Sequence, residues 1–455
     1  MDWKNKKFLV FGTGISGIAA AELLKREELD VVLYDGNEAL DVDALREKSP
    51  LIKDVPVILG TIEEDLLQKT DIAILSPGVP VDLPIVQQMR DNGILIWGEI
   101  ELAYVFGKGR ILAITGTNGK TTTTTLLGEI MKHTYEDVQV VGNIGIPYTR
   151  IAPMTTEDTV IVAEISSFQL ETVHTFCPQV SAILNITPDH LDRHHSMENY
   201  IAAKEDITKH QSAEQTCVLN YEDEVLRAFG EKIPAKVVYF SSAHQLSQGI
   251  YLDGEEIWYA DGEGKKLVCN VKELQIIGKH NYENVMAATA MAMSFGVSLD
   301  KIREVLLRFQ AVEHRIEYVT EKRGVRFYND SKGTNPDASI QAVKAMQWPT
   351  LLIGGGYDKG SQYEEWIEAF DGKVKKFVLL GATREKIAET AIRCGYPQED
   401  IIFVESLEEA VDVCYTNAQK GDAVLLSPAC ASWGMFKNYE ERGEQFKKMV
   451  KELKE

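Results

Sequence analysis

Residues 115–122 read TGTNGKTT and follow directly on the apolar run RILAI at 110–114. A strand, a glycine turn, a lysine and a hydroxyl-rich helix start, in that order, make a phosphate-binding loop. The backbone N–H groups of such a turn converge on an anion, and the dipole of the helix that follows favours negative charge there. Lys120 is placed to reach the outer phosphates, and the Thr121 hydroxyl to sit on Mg²⁺. The longer form, G-x-x-x-x-G-K-[ST], would need a glycine where Ile114 stands. This is the shorter variant, Gly116-Thr117-Asn118-Gly119-Lys120-Thr121, with Thr122 entering the helix. It commits the chain to nucleoside triphosphate chemistry on an α/β scaffold.

The rest of the chain repeats that scaffold. Apolar runs at 8–11, 31–35, 56–59 and 71–75 alternate with helical patterns and form a first unit ending near residue 98. Runs at 110–115, 160–164 and 180–184 belong to a second unit. There the glycine-punctuated stretch 248–270 reads as antiparallel hairpins inserted before a helix at 280–295. Runs at 325–329, 350–353, 376–380, 401–404 and 423–426 form a third unit. Strands alternating with helices predict parallel sheets, so the expectation is three α/β domains, at 1–98, 99–312 and 313–455. The first and third are expected to be Rossmann-like, and the central one P-loop ATPase-like.

The first unit opens on Gly12-x-Gly14-x-x-Gly17 with Asp35 at the end of the next strand, which fits the dinucleotide fingerprint. Alone it points to an NAD-dependent dehydrogenase. Physically it says only that an anion can approach a helix N-terminus and that a sugar hydroxyl can lie near Asp35. A nucleoside diphosphate-sugar satisfies both.

Composition narrows the partners. With 455 residues, 44% apolar and 26% charged, the chain has ample material for cores, and its net charge of −21 argues against nucleic acid. Six scattered cysteines without a CxxC read as free thiols. The short apolar run at the N-terminus is too brief for a signal peptide, and no stretch reaches membrane-span length. A cytoplasmic, monomeric enzyme acting on small molecules is expected.

Glu164 ends the apolar run 160–164, where a carboxylate can reach a Mg²⁺ held by Thr121. Beyond the next run comes NITPDHLDRHHSMENYIAAKEDI, residues 185–207, with His190 in a loop and Lys204 on a helix. Taken alone, Lys204 reads as a surface lysine. Together with the short TGTNGKT loop and the strand-end glutamate, this stretch resembles the ATP-dependent Mur ligases, which build the peptide stem of peptidoglycan. The resemblance implies that Lys204 is carbamylated, because an ordinary lysine is cationic at pH 7 and would repel Mg²⁺. It further implies two Mg²⁺ ions, one held by Thr121 and Glu164 and one by His190 and the Lys204 carbamate.

Other segments extend the resemblance. Gly142-Asn143-Ile-Gly145 resembles a segment near the acceptor substrate. Residues 280–284 (HNYEN) imply adenine contacts from Asn281 and Asn284, and Glu313-His314-Arg315 implies that Arg315 meets ATP. Residues 329–335 (NDSKGTN) imply Asp330 at the ribose and Lys332 and Thr334 at the amino acid or phosphate. Glycine stands at 333 in place of alanine, an exchange expected to be neutral. The glycine turn 354–356 implies a role for Lys359. Residues 425–438 (LLSPACASWGMFKN) resemble the family member that adds D-glutamate, with Ser432 and Phe436 as amino-acid contacts. In that member the first domain binds UDP and not NAD, which implies Ser16, Asp35, Asn37 and Ser76 as ligands of the UDP substrate, together with Asn143. The implied reaction adds D-glutamate to UDP-N-acetylmuramoyl-L-alanine through an acyl phosphate, releasing ADP and phosphate, with Lys120, Glu164, His190, Lys204 and Lys332 as catalytic groups.

Overall fold

The apolar runs become three sheets in the computed structural model, which describes residues 3–310, 312–358 and 360–454. The first sheet holds β1 (Lys7–Phe11), β2 (Asp30–Asp35), β3 (Val57–Leu59), β4 (Ile72–Leu75) and β5 (Leu95–Gly98) in the order β3-β2-β1-β4-β5, all parallel. Its strands are continuous apolar runs rather than alternating ones because helices cover both faces. The turn after β1 needs its glycines. A Cβ on Gly17 would lie 1.8 Å from the Gly12 carbonyl oxygen, so only glycine lets the helix Ile15–Arg26 start against the strand end.

The second sheet holds β6 (Arg110–Thr115), β7 (Val138–Gly142), β8 (Val160–Glu164), β9 (Val180–Ile183), β10 (Thr216–Asn220), β11 (Lys236–Ser241), β12 (Gln248–Asp253), β13 (Glu256–Asp261) and β14 (Lys265–Asn270). Its order is β14-β13-β12-β11-β10-β9-β6-β8-β7. The hairpin region is not a separate insertion. β12 pairs parallel with β11 and antiparallel with β13, so 248–270 extends the main sheet outward.

These two sheets lie in one compact unit, residues up to Cys269 together with Glu283–Leu306. One apolar cluster runs from Val10 and Ile74 through Trp97 and Ile100 to Ala113 and Ile161. Glu101, fully buried on the helix Glu99–Phe106, pins this junction. Its carboxylate accepts hydrogen bonds from the backbone N–H groups of His174, Thr175 and Phe176 and from the Thr175 hydroxyl.

The second unit comprises Asn270–Tyr282 and the chain from Leu307 onward. It holds β15 (Glu317–Lys322), β16 (Val325–Asn329), β17 (Thr350–Gly354), β18 (Val374–Leu379), β19 (Ile401–Phe403) and β20 (Ala423–Leu426) in the order β15-β16-β20-β17-β18-β19. Only the edge strand β15 runs antiparallel to its neighbour. Apolar clusters line both faces of this sheet. Among the described residues no helix is long and apolar enough to cross a membrane.

Candidate active site

The turn after β6 is built as the sequence predicts. Gly116 and Gly119 take positive φ, 147° and 85°, and the helix Lys120–Lys132 starts directly on Gly119. A Cβ at 119 would lie 2.2 Å from Asn284 Oδ1, so the glycine makes room for that amide. The loop is laced to the segment after β9. Asn118 N–H donates to Asn185 Oδ1 at 2.8 Å, and Thr117 N–H to the Asn185 carbonyl at 2.9 Å. Thr187 N–H donates to Thr117 Oγ1 at 3.0 Å. Lys120 Nζ donates to the carbonyls of Gly116 and Thr117, each at 2.8 Å. Thr121 is half-buried at the helix start.

Lys204 is not a surface lysine. It is 1% exposed, and its Nζ donates to the Gly116 carbonyl at 2.8 Å and lies 4.6 Å from the centre of the Tyr200 ring. Burial, with the Lys120 charge adding, pulls its pKa down to about 6. Glu164 is also buried. Its Oε1 accepts from Asn143 Nδ2 at 2.8 Å, while Oε2 has no partner among the described residues. A buried carboxylate oxygen left over beside a phosphate loop fits a hard divalent cation. Asn143 is fixed there by its own N–H, which donates to the Glu164 carbonyl at 2.8 Å.

His190 is exposed, with φ 51° and its ring 5.0 Å from Phe168. The buried histidine of the run is His194. It bonds to Ser167 Oγ at 2.9 Å, lies 3.3 Å from Glu171, stacks on Phe168, and is held neutral down to about pH 4 by burial. Nothing in the amino-acid order favours His194 or draws attention to Phe168 and Tyr200, because none belongs to a motif of its own.

At the first sheet, the order β2-β1-β4 puts a topological switch point between β1 and β4, where ligands bind in folds of this kind. Ser16 lies in the first turn of the helix after Gly14, and Ser76 follows β4 with a buried hydroxyl that has no partner among the described residues. Asp35 is already engaged. Its Oδ2 accepts from Thr13 N–H and Oγ1, at 3.0 and 2.7 Å, and Oδ1 accepts from Asn37 N–H at 3.0 Å. In this arrangement it organises the glycine loop and the exposed Asn37.

In the second unit, loops at the C-terminal ends of β16, β20 and β17 gather the other candidates. Asp330 is buried, accepting from Ser427 Oγ at 2.7 Å and Ile316 N–H at 3.2 Å, and burial raises its pKa to about 7. Arg315 lies close enough to act on it electrostatically, with a buried Nε that has no partner among the described residues. Lys332 reaches over the Tyr439 ring at 5.7 Å, and Thr334 N–H donates to the Lys332 carbonyl. A Cβ at 333 would lie 2.5 Å from Asp330 Oδ2, so glycine there is not the neutral exchange expected.

Ser432 is buried in the loop after β20, and its carbonyl accepts from Phe436 N–H at 3.0 Å. Phe436 is half-buried and packs against the apolar cluster that includes Phe327, Val424 and Phe446. Asn281 is buried and donates its Nδ2 to the Ile277 carbonyl, while Asn284 accepts at Oδ1 from Thr123 Oγ1. Lys359 lies outside the described residues.

Three family models match in sequence order: a Mur ligase MurD-like N-terminal domain at 6–98, a Mur ligase middle domain at 114–292 and a Mur ligase glutamate ligase domain at 314–430. The UDP-N-acetylmuramoylalanine–D-glutamate ligase of Lachnoclostridium phytofermentans is 58% identical over 455 residues, covering 100% of both chains. The chain is a Mur ligase. Enzymes of the same name from Lachnospira eligens and Clostridioides difficile are 55% and 43% identical over the full lengths of both chains. The UDP-N-acetylmuramate-alanine ligase MurC of Thermotoga maritima shares the fold, with TM-score 0.60 at 19% identity over 98% of this Mur ligase and 99% of that chain. The MurF ligase of Thermotoga maritima, solved in complex with ADP, has TM-score 0.59 at 16% identity over 99% of each chain.

Proposed function

We propose that this Mur ligase joins D-glutamate to the L-alanyl carboxylate of UDP-N-acetylmuramoyl-L-alanine, using ATP and releasing ADP and phosphate. The observation that carries the chemistry is Lys204, buried against the phosphate loop with its pKa lowered. The full-length identity to D-glutamate ligases supports the choice of substrates. We take the domains as 1–98, 99–312 and 313–455.

The acceptor carboxylate attacks the γ-phosphorus of ATP, forming an acyl phosphate as ADP leaves. The amine of D-glutamate attacks the acyl carbon, and phosphate leaves as the amide forms. Two anions must meet in the first step, so positive charge and aligned N–H groups are the main requirement. Residues Gly116–Thr122 offer the loop N–H groups, and Lys120 swings from its carbonyls onto the transferring phosphate. Asn281, Asn284, Arg315 and Asp330 hold the nucleotide. Ser16, Asp35, Asn37, Ser76 and Asn143 line the path of the UDP substrate, with Asp35 acting through the loops that it ties together. Lys332, Thr334, Lys359 and Ser432 receive the amino acid, and Phe436 supports their loop from the core side.

Thr121 and Glu164 would hold one Mg²⁺, and His190 and a carbamate on Lys204 a second. Bound there, the ions neutralise phosphate charge. Carbamylation needs a neutral amine, which burial of Lys204 provides near neutral pH. A buried cation on a neutral carbonyl is otherwise a costly arrangement.

The test is ATP-dependent phosphate release with UDP-N-acetylmuramoyl-L-alanine and, in turn, D-glutamate, L-glutamate, D-aspartate or no amino acid. Release with D-glutamate alone is expected. Release with a different amino acid would keep the ligase chemistry and overturn the amino-acid assignment.

A further inference from the structure

Arg442 is the deepest cation of the second unit, 2% exposed, in the first turn of the helix Tyr439–Glu452. Cations are disfavoured at that end of a helix. Among the described residues it makes no ion pair. Its partners are neutral and lie on two different loops. Nε donates to Ser331 Oγ at 3.0 Å and Nη2 to the Ser331 carbonyl at 2.8 Å. Nη1 and Nη2 both reach the Cys430 carbonyl at 3.3 Å. The Ser331 hydroxyl passes the connection on, donating to the Tyr439 carbonyl at 2.8 Å. Burial, only partly offset by the nearby Asp330 and Cys430, lowers the pKa of Arg442 to about 10, so it stays charged at neutral pH.

Those two loops carry the amino-acid contacts proposed above. Ser331 precedes Lys332 in the loop after β16, and Cys430 lies two residues before Ser432 in the loop after β20. β16 and β20 are adjacent and parallel, so the gap between their loops is the crevice at the sheet's carboxyl end. A planar guanidinium fixes directions as well as distances, which a lysine ammonium does not. On the far side the helix Pro336–Ala345, which follows the Lys332 loop, holds the Ser432 loop through Ser339, whose hydroxyl lies 2.8 Å from Ser427 Oγ and accepts from Ala429 N–H at 2.9 Å. Ala429 is held at φ 57°, a conformation that costs energy for a residue with a side chain.

We infer that Arg442 is a positioning residue for the incoming amino acid: its guanidinium sets the spacing between the Lys332 loop and the Ser432 loop and so the width of the slot for a dicarboxylic amino acid. The inference rests on the amino-acid assignment made under the proposed function.

The test uses the full-length enzyme and steady-state phosphate release, with each of the three substrates varied in turn. Arg442→Lys keeps the charge and removes the fork. It is expected to raise KM for D-glutamate about tenfold or more, with kcat changing less than about threefold. KM for the UDP substrate should stay within about twofold of wild type, because a loss of folded protein lowers activity without moving one KM alone. Ser331→Ala removes a single partner and should move the same KM by a smaller factor. D-glutamate KM within about twofold of wild type in the soluble variants, or a parallel rise in all three KM values, would overturn the inference. If Arg442→Lys does not fold, Ser331→Ala decides by the same criterion. If the wild type uses another amino acid, the KM read is for that one, so a failed assignment and a failed positioning role remain distinct.

Discussion

Lys120 and Lys204 donate to the same acceptor, the Gly116 carbonyl oxygen, each at 2.8 Å. One lysine is half-buried on the helix that follows the phosphate loop, and the other arrives 84 residues later on the helix Met197–Glu205. Two ammonium groups on one neutral oxygen repel each other, and the more buried one loses its proton more easily. The crowding therefore selects Lys204 as the neutral amine and leaves Lys120 as the cation that phosphate needs.

Removing either lysine should separate these roles. Lys204→Ala is expected to lower turnover by about three orders of magnitude or more, and added formate or acetate should restore part of it by supplying an oxygen ligand. Lys120→Ala should cost about 10²–10³ in kcat with no rescue by carboxylates. Phosphate release measures both, and a near-normal rate for Lys204→Ala would sink the carbamate proposal.

Asp330 gives a pH prediction. Its pKa is about 7 in the folded protein against 3.8 for an ordinary aspartate. Between these values the native state binds more protons than the unfolded chain, so stability falls as pH rises from about 4 to about 7 and then levels. Asp330→Asn keeps the neutral form at every pH. Its melting temperature should exceed that of wild type at pH 8, with the gap closing toward pH 4. A gap that widens toward acid would show that Asp330 is stabilising as a carboxylate.

Gly333 sits where a methyl group would lie 2.5 Å from Asp330 Oδ2 and 3.1 Å from Ser339 Oγ. Gly333→Ala should displace the Asp330 carboxylate from Ser427. The expected result is a raised KM for ATP and a stability loss of about 1–3 kcal/mol, read from ATP titrations and urea melts. Unchanged values for both would mean that the loop shifts at no cost.

Glu101 should matter for folding and not for chemistry. Its carboxylate takes four hydrogen bonds, from three backbone N–H groups and one hydroxyl. Glu101→Ala strands those buried donors, at a cost of about 3 kcal/mol or more, and Glu101→Gln opposes an amide N–H₂ to them. Both should lower the melting temperature while kcat per folded molecule is retained. An unchanged melting temperature would mean that water reaches the donors.

The phosphate loop, the switch-point glycines and most buried strands were legible because each rests on a local rule: a glycine at positive φ, or a short run of apolar residues. Strands β5, β7, β10, β11 and β15 escaped: β15, EYVTEK, carries no apolar run, whereas β10, TCVLN, is wholly buried but its apolar run is only three residues long. Asp35 was read as a ligand, and its oxygens also tie Thr13 and Asn37 together, a fact of loop geometry that spacing does not encode. Phe436 was expected at the substrate, and its packing on the core is a further contact that the motif did not encode. Lys204 looked exposed by type, and its burial depends on contacts with the phosphate loop far away in sequence. Arg442 was invisible for the same reason: its partners lie 12 and 111 residues away.

Strand β20 is the last strand of the chain, yet it lies between β16 and β17 and pairs with both. During synthesis those two strands emerge roughly a hundred and roughly seventy residues before their common neighbour does, with facing edges that have nothing to pair with. The sheet of the second unit therefore closes only once β20 has been made. A messenger cut short between Gly354 and Ala423 would yield a finished phosphate loop joined to an open, aggregation-prone half-sheet.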